Sequence, residues 1–250
     1  MSISDREYKI FARQIILKEF SEIKFNSFRN NKIAIVGMGG IGCPISQYLI
    51  SSGIRNIKII DDDIIKLSNL NRQTLYDVKN INKKKVEIAK LRLNKINPDS
   101  NILAIDKKIN SKNINNHLFD SNLIIDCTDN LKTMSLINNY AVKKHIPLLS
   151  CSVVGFDGQV ILFKNHKNKH ICLKCLYPSE KEPMISRCDQ VGVLGSVAGL
   201  TALVATQLAI NFLLKNKENL DKLILVSSKN LTLQKISIET NKNCSNYMLY

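Results

Sequence analysis

The sequence predicts an α/β fold: a doubly wound, mostly parallel sheet continued by antiparallel strands within one compact domain. Three observations predict it. Residues 32–62, KIAIVGMGGIGCPISQYLISSGIRNIKIIDD, read as strand, glycine turn, helix, strand and acid. Strand and helix patterns go on alternating over the first ~150 residues, as they do when crossover helices join parallel strands. Near the end, two apolar runs lie either side of Ser-Lys-Asn and read as a hairpin, a connection that antiparallel strands make.

Each element has a local reason. Ser4 and Glu7 form a capping box that starts a helix running to about Phe20, with Arg13 and Gln14 on it. Ile33–Val36 is a strand, and Gly37, Gly39, Gly40 and Gly42 follow. Ile45, Leu49 and Ile50 have helical spacing, and Ile57–Ile60 is a second strand ending on Asp61. Glycine lets backbone approach a phosphate, and a helix N-terminus adds free N–H groups. An acid at the end of the second strand suits a ribose hydroxyl. Beyond the polar segment Ser68–Gln73, Lys84–Ile96 is amphipathic and ends at Asn97-Pro98. Ile102–Ile105, Leu123–Cys127 and Pro147–Ser152 are strands, with a helix over Leu131–Lys144. Val160–Phe163 is a strand after the Gly155/Gly158 turn, and 170–190 is polar and irregular. Residues 191–214 carry no charge; the polar residues spaced through them predict a helix buried on most sides in place of a membrane span. The domain divides into a nucleotide-binding half, 1–152, and a cysteine-containing half, 153–250.

Composition narrows the function. The 250 residues carry a net charge of +15, with 36 basic side chains against 21 acidic. Seven of the basic residues are Arg, and the only dense basic run is Lys83–Lys85, with no aromatic residues interleaved. That argues against nucleic-acid binding and for a solvated lysine surface that attracts ATP and an acidic partner protein. The seven cysteines include a CxxC at Cys172 and Cys175. With Asp5, Arg6 and Glu7 where a secretory signal needs apolar residues, a cytoplasmic chain with thiol or metal chemistry is expected.

The chemistry gathers at strand ends. Asp61, Asn69, Arg72, Lys85 and Asp129 fall at or after the C-terminal ends of parallel strands, where doubly wound sheets bind ligands. An acid for ribose, cations for phosphates and a second Asp for Mg²⁺ together describe an ATP site.

At ARQI (Ala12–Ile15), GMGGIG, DDDIIKLSNLNRQ (Asp61–Gln73), KKV (Lys84–Val86), DCTDN (Asp126–Asn130), CLKC (Cys172–Cys175) and RCDQVGVLG (Arg187–Gly195), the sequence resembles the ThiF/MoeB/HesA adenylyltransferases, relatives of the ubiquitin-activating enzymes. These stretches cover nearly the whole chain in order. The resemblance implies a Rossmann-like fold. It also implies MgATP-dependent adenylation of the C-terminal Gly-Gly carboxylate of a small ubiquitin-like sulfur carrier, ahead of thiocarboxylate formation. By motif, Gly37, Gly39, Gly40, Gly42, Gln73 and Asn130 contact the nucleotide and Asp61 the ribose. Asn69, Arg72 and Lys85 take the phosphates, and Asp129 holds Mg²⁺. Arg13 becomes an arginine finger for the partner subunit's ATP, which implies a homodimer. Cys188 matches the cysteine that links to the activated carrier through a persulfide, with sulfur from a donor protein.

The chain departs from the family at the zinc site. Cys172, Cys175 and Cys244 match ligands, but the second CxxC reads Cys244-Ser245-Asn246-Tyr247, with His166 or His170 as substitutes for the fourth ligand. Residues 152–156, 175–178 and 182–183 resemble the thiamine-branch ThiF enzymes, and Gly42-Cys43 with Ser46–Leu49 the molybdopterin-branch MoeB enzymes. The thiamine branch is the reading favoured. Two other classes stay in view. A nicotinamide oxidoreductase leaves Arg72, Lys85 and the CxxC unexplained, and a non-catalytic carrier-binding relative leaves the full ATP set unexplained.

Overall fold

The computed structural model describes residues 3–165, 171–177, 192–216, 218–241, 244 and 246. Its strands are β1 (Lys32–Val36), β2 (Asn56–Ile60), β3 (Asn101–Ile105), β4 (Leu123–Asp126), β5 (Leu148–Val154), β6 (Asp157–Phe163), β7 (Lys222–Ser227) and β8 (Thr232–Ser237). They form one sheet in the order β3-β2-β1-β4-β5-β6-β7-β8. Neighbours from β3 to β5 are parallel, and those from β5 to β8 are antiparallel. This is the predicted fold class. β1 and β4 are nearly all buried, as strands covered on both faces must be. The strand order reverses between β1 and β4, so the helices after them leave in opposite directions and a crevice opens at their C-terminal ends.

Helices α3 (Gly42–Ser51), α4 (Lys85–Ile96), α5 (Ile114–Leu118) and α6 (Leu131–Lys144) belong to the parallel half, and α7 (Leu173–Leu176) is a single turn. Helix α8 (Gly195–Leu213) packs on α3, β5 and β6 through Val197, Thr201, Ala205 and Leu208, one residue per turn. It is long and apolar enough to cross a membrane, but half of its apolar window is buried inside the fold. As expected, it is buried on most sides: Ser196, Leu203 and Gln207 alone among its residues are exposed, and they form one narrow stripe.

The N-terminus differs from expectation. The Ser4/Glu7 capping box is present, but α1 (Asp5–Ile15) stops before Phe20, and a further helix, α2 (Glu22–Arg29), follows. Aromatic packing sets the break. Extended backbone at Leu17 turns the chain so that Phe20 meets Phe28 with ring centroids 5.0 Å apart, while Phe11 meets Phe25 at 4.9 Å.

Beside this cluster Glu7 joins α1 to α2 and to Arg55, the residue before β2. Its Oε1 accepts from Arg29 Nη1 at 2.8 Å and from Arg55 Nη2, and the Arg29 side chain is 1% exposed. Burial pushes the Glu7 carboxyl up, but hydrogen bonds from Ser4, Arg55 and Arg29 outweigh it and hold it at about 2. Glu7→Ala would remove the carboxylate that pairs with a buried guanidinium, which costs about 3–5 kcal/mol; urea melts at pH 7 measure it. The folded pKa lies below the unfolded value of roughly 4.3, so the carboxylate stabilises the fold above that pH. The advantage of the wild type over Glu7→Gln should therefore shrink as pH falls from about 4 towards 2.

Candidate active site

A cleft of about 500 Å³ opens along the C-terminal ends of the parallel strands. Its walls include Gly37, Gly39 and Gly40 after β1, Asp61–Asp63 after β2, and Cys127–Asn130 after β4. Arg72, Gln73 and Lys85 complete that end. Sequence-predicted residues from five separate segments thus share one cavity. Gly42 and Asn69 do not line it.

The glycine turn is locked from four directions. Gly37 has φ +93°, and a Cβ there would sit 2.8 Å from the Cys127 carbonyl oxygen. Gly42 lies so close beneath that its Cβ would fall 1.9 Å from the Gly37 oxygen; it seats α3 under the turn. Between them Met38 N–H donates to Asp61 Oδ2 at 2.7 Å, and the Met38 carbonyl accepts from Tyr76 Oη at 2.9 Å. Cys43 Sγ donates to the same carbonyl at 3.4 Å, and burial pushes its thiol up to about 12.

Charge is arranged around this turn. Asp61 also accepts from Asp63 N–H at 2.9 Å; burial raises its pKa and Lys85 opposes the rise. Lys85 is 5% exposed, with Nζ 2.8 Å from Asp63 Oδ2, whereas the Asp63 side chain is 66% exposed. A buried ammonium thus faces the cleft, paired to an acid on its rim. Arg72 Nη1 donates to the Ser68 carbonyl at 2.9 Å and to Asn71 Oδ1 at 3.1 Å, both within its own loop. Asn69 shapes that loop: its Oδ1 accepts from Lys66 N–H at 3.1 Å, and its carbonyl accepts from Arg72 and Gln73 N–H. Gln73 is buried, and its Oε1 has no partner among the described residues.

After β4, Asp126 organises the opposite lip. Its Oδ1 accepts from Thr128 N–H at 3.0 Å and Thr128 Oγ1 at 2.7 Å, while Oδ2 is buried without a partner among the described residues. Burial pushes this carboxyl up to about 6. Asn130 caps α6 by accepting from Thr133 N–H at 3.1 Å. Asp129, between these anchored residues, is exposed to the cleft. The donor set suits a nucleotide: a glycine-walled backbone, a buried cation, an exposed acid and an orphaned buried amide. Carboxylate oxygens of Asp61, Asp62 and Asp63 come within 4.8 Å of one another on the same rim, a donor type that suits Mg²⁺.

Arg13 lies on the exposed face of α1 and does not line the cleft. Cys172, Cys175 and Cys244 come together with sulfurs within 4.8 Å. Cys172 Sγ and Cys244 Sγ are 3.7 Å apart, close to the roughly 3.8 Å edge of a tetrahedron with 2.3 Å zinc–sulfur bonds. A hydrogen bond from Cys175, working against burial, brings the Cys172 thiol down to about 5, and the same bond raises Cys175. Asn246 Nδ2 also donates to Cys172 Sγ at 3.5 Å. Three thiols therefore fit zinc. Tyr247, His166, His170 and Cys188 lie outside the described residues.

Cleft residues that sequence reasoning missed include Lys107, Lys108, Gln159 and Tyr177. The two lysines follow Asp106 after β3, so the strand-end rule that found Asp61 could have found them. Gln159 and Tyr177 reach the cleft from antiparallel β6 and from α7, where no such rule applies.

Comparisons with known proteins agree with this architecture. The chain is 28% identical over 242 residues to the sulfur carrier protein ThiS adenylyltransferase of Escherichia coli (strain K12), covering 97% of this chain and 96% of that protein. It is 33% identical over 249 residues to the adenylyltransferase and sulfurtransferase UBA4 of Saccharomyces cerevisiae, where it spans 99% of this chain but 51% of the relative. Among solved structures, E. coli MccB with ATP superposes with a TM-score of 0.77 at 25% identity, covering 89% of this chain and 68% of that one. The sequence matches the ThiF family over residues 11–246, a span that takes in the glycine turn, the cleft and the cysteine cluster, and the chain belongs to that family.

Proposed function

We propose that this adenylyltransferase uses ATP to activate the C-terminal Gly-Gly carboxylate of a small ubiquitin-like sulfur carrier. The observation that carries the reading is the single cleft joining Gly39, Gly40, Asp61, Arg72, Lys85 and Asp129. In the reaction a carboxylate oxygen of the carrier attacks the α-phosphorus of ATP. The bond to the β-phosphate oxygen breaks, pyrophosphate leaves, and an acyl-adenylate forms. Negative charge gathers during the transfer, and preorganised cations stabilise it. Lys85 is held for that role by burial; Arg72 reaches it by exchanging loop contacts for phosphate oxygens. Asp61 accepts from a ribose hydroxyl beside its bond to Met38. Asp129 holds Mg²⁺, which supplies further charge neutralisation when bound.

A ThiS-type carrier of thiazole synthesis is the finer reading. It is supported by the near-full-length correspondence with the E. coli ThiS adenylyltransferase. The 33% identity with UBA4 favours a second carrier type, but this chain spans about half of that relative. Cys172, Cys175 and Cys244 hold zinc. Cys188 takes the outer sulfur of a donor protein's persulfide, which leaves as a thiol, and the Cys188 persulfide then displaces AMP from the acyl-adenylate to link enzyme and carrier. A homodimer with Arg13 acting in trans is the companion reading; it is supported by the position of Arg13 on α1, away from its own cleft, beside exposed Ile10, Ile16 and Leu17.

Four predictions test this. Asp129→Ala and Arg72→Ala should each lower carrier-dependent ATP–pyrophosphate exchange by about 10²–10³, the usual loss for one charge contact at a transferring group; near-normal exchange in a folded variant removes that residue from the mechanism. Mixing inactive Arg13→Ala with inactive Asp129→Ala should restore one intact site per heterodimer. No recovery after confirmed subunit exchange counts against the trans arrangement. Cys188→Ser should keep exchange but lose the reducible carrier–enzyme conjugate, because a serine hydroxyl cannot hold a persulfide. Cys172→Ser should instead lower Tm and bound zinc, read by thermal melting and metal analysis.

A further inference from the structure

The far end of the cleft has chemistry of its own. Tyr177 and Gln159 both line it, and Tyr177 Oη donates to Gln159 Oε1 at 2.6 Å. Gln159 is fixed within the sheet, paired with Ser152 of β5 and Leu225 of β7. Tyr177 is fixed differently. It ends α7, and its N–H donates to the Leu173 carbonyl at 2.8 Å. Four residues make too few hydrogen bonds to hold a helix alone. What holds α7 is its start: Cys172 is fully buried against Cys244, and Leu173 N–H donates to Asn138 Oδ1 at 2.9 Å. The cysteine cluster and the tyrosine hydroxyl are therefore two ends of one short rigid piece.

Strand order gives the scale. β6 lies four places from β2 in the sheet, or about 19 Å at ~4.8 Å per strand. A nucleotide over the Gly37 turn and Asp61 leaves the β5–β6 end free. There the walls are Ser152, Val154, Asp157, Gln159 and Tyr177. Such a wall offers hydrogen-bond partners to main-chain amides and carries one aromatic ring, that of Tyr177.

We infer that Tyr177 is a positioning and specificity-determining residue: held by the three-cysteine cluster and by Gln159, its ring narrows the cleft where the carrier tail enters, so that a tail of glycines passes and one with side chains does not. This rests on the functional reading above, and it gives the cysteine cluster a role in substrate selection as well as stability.

The experiment uses ATP–pyrophosphate exchange with the organism's own ThiS-type carrier, ending either in Gly-Gly or in Ala-Gly, together with calorimetric Kd values for each carrier in the absence of ATP. Tyr177→Phe removes only the hydroxyl. It should raise carrier KM and Kd by up to about tenfold, the span of one neutral hydrogen bond, with KM for ATP and Tm nearly unchanged. Tyr177→Ala should accept the Ala-Gly tail, which the wild type rejects by roughly 10–200-fold, the usual penalty for one unaccommodated methyl group. Cys172→Ser should weaken carrier binding like Tyr177→Phe, and the double variant should add nothing further. Unchanged carrier Kd and tail preference in both Tyr177 variants, or a lowered Tm with unaltered carrier KM, overturns the inference. Absence of carrier-dependent exchange in the wild type fails the functional reading instead, a distinct outcome.

Discussion

Everything at the nucleotide end depends on how Met38 is held. A peptide unit in a glycine turn has little to keep it in place. Here its N–H is bound by Asp61 and its carbonyl by Tyr76, 38 residues downstream. Those two bonds tie β1, β2 and the segment before α4 into one unit. They also spend one lone pair of Asp61 before any ligand arrives, so the acid is aimed as well as charged. Ligand recognition and folding share the same atoms at this point. A change that frees Met38 would disturb the turn, the acid and the packing under α3 together.

The electrostatics follow from burial more than from net charge. The chain carries +15 overall, but the cation deepest in the cleft is Lys85, and its partner Asp63 is solvent-facing. An exposed acid is readily hydrated and gives up the pair at modest cost. In the proposed reaction a phosphate oxygen is the natural replacement partner for the buried amine. Across the cleft Asp126 is the reverse case: a fully buried carboxyl, pushed up to about 6, whose one engaged oxygen sets the Thr128 hydroxyl and the loop carrying Asp129. The surface lysines shape the approach of partners, and the few buried charges shape the chemistry.

The parallel half was legible because each of its signals is local. Apolar runs of four or five residues, glycine spacing and acid-ended strands all lie within short windows, and every strand from β1 to β5 falls where those windows put it. The gathering of Gly40, Asp61, Arg72, Lys85 and Asp129 was legible too, because parallel strands deliver all their C-terminal loops to one edge. Helix α2 was not. It is short, and the break before it is set by contacts of Phe20 with Phe25 and Phe28, which no periodicity encodes. Tyr177 and Gln159 were also beyond reach, since their meeting depends on α7 lying across the antiparallel strands. Asn69 was legible as a polar residue of the loop before α4, but the engagement of its Oδ1 with Lys66 N–H is a local turn contact that spacing does not encode.

Among the described residues, none covers the last strand of the sheet. All six residues of β8 are exposed, and β8 stands at the rim of the ladder. Such an edge is a template on which another extended chain can add, and Leu233 and Ile236 offer it apolar contacts. What restrains uncontrolled growth is the charge carried there. Lys235 sits mid-strand, and the lysine excess of the whole molecule sets like charge against like as two copies approach. The biased lysine content thus acts as a colloidal safeguard for an edge that no described residue caps, one that added salt would weaken.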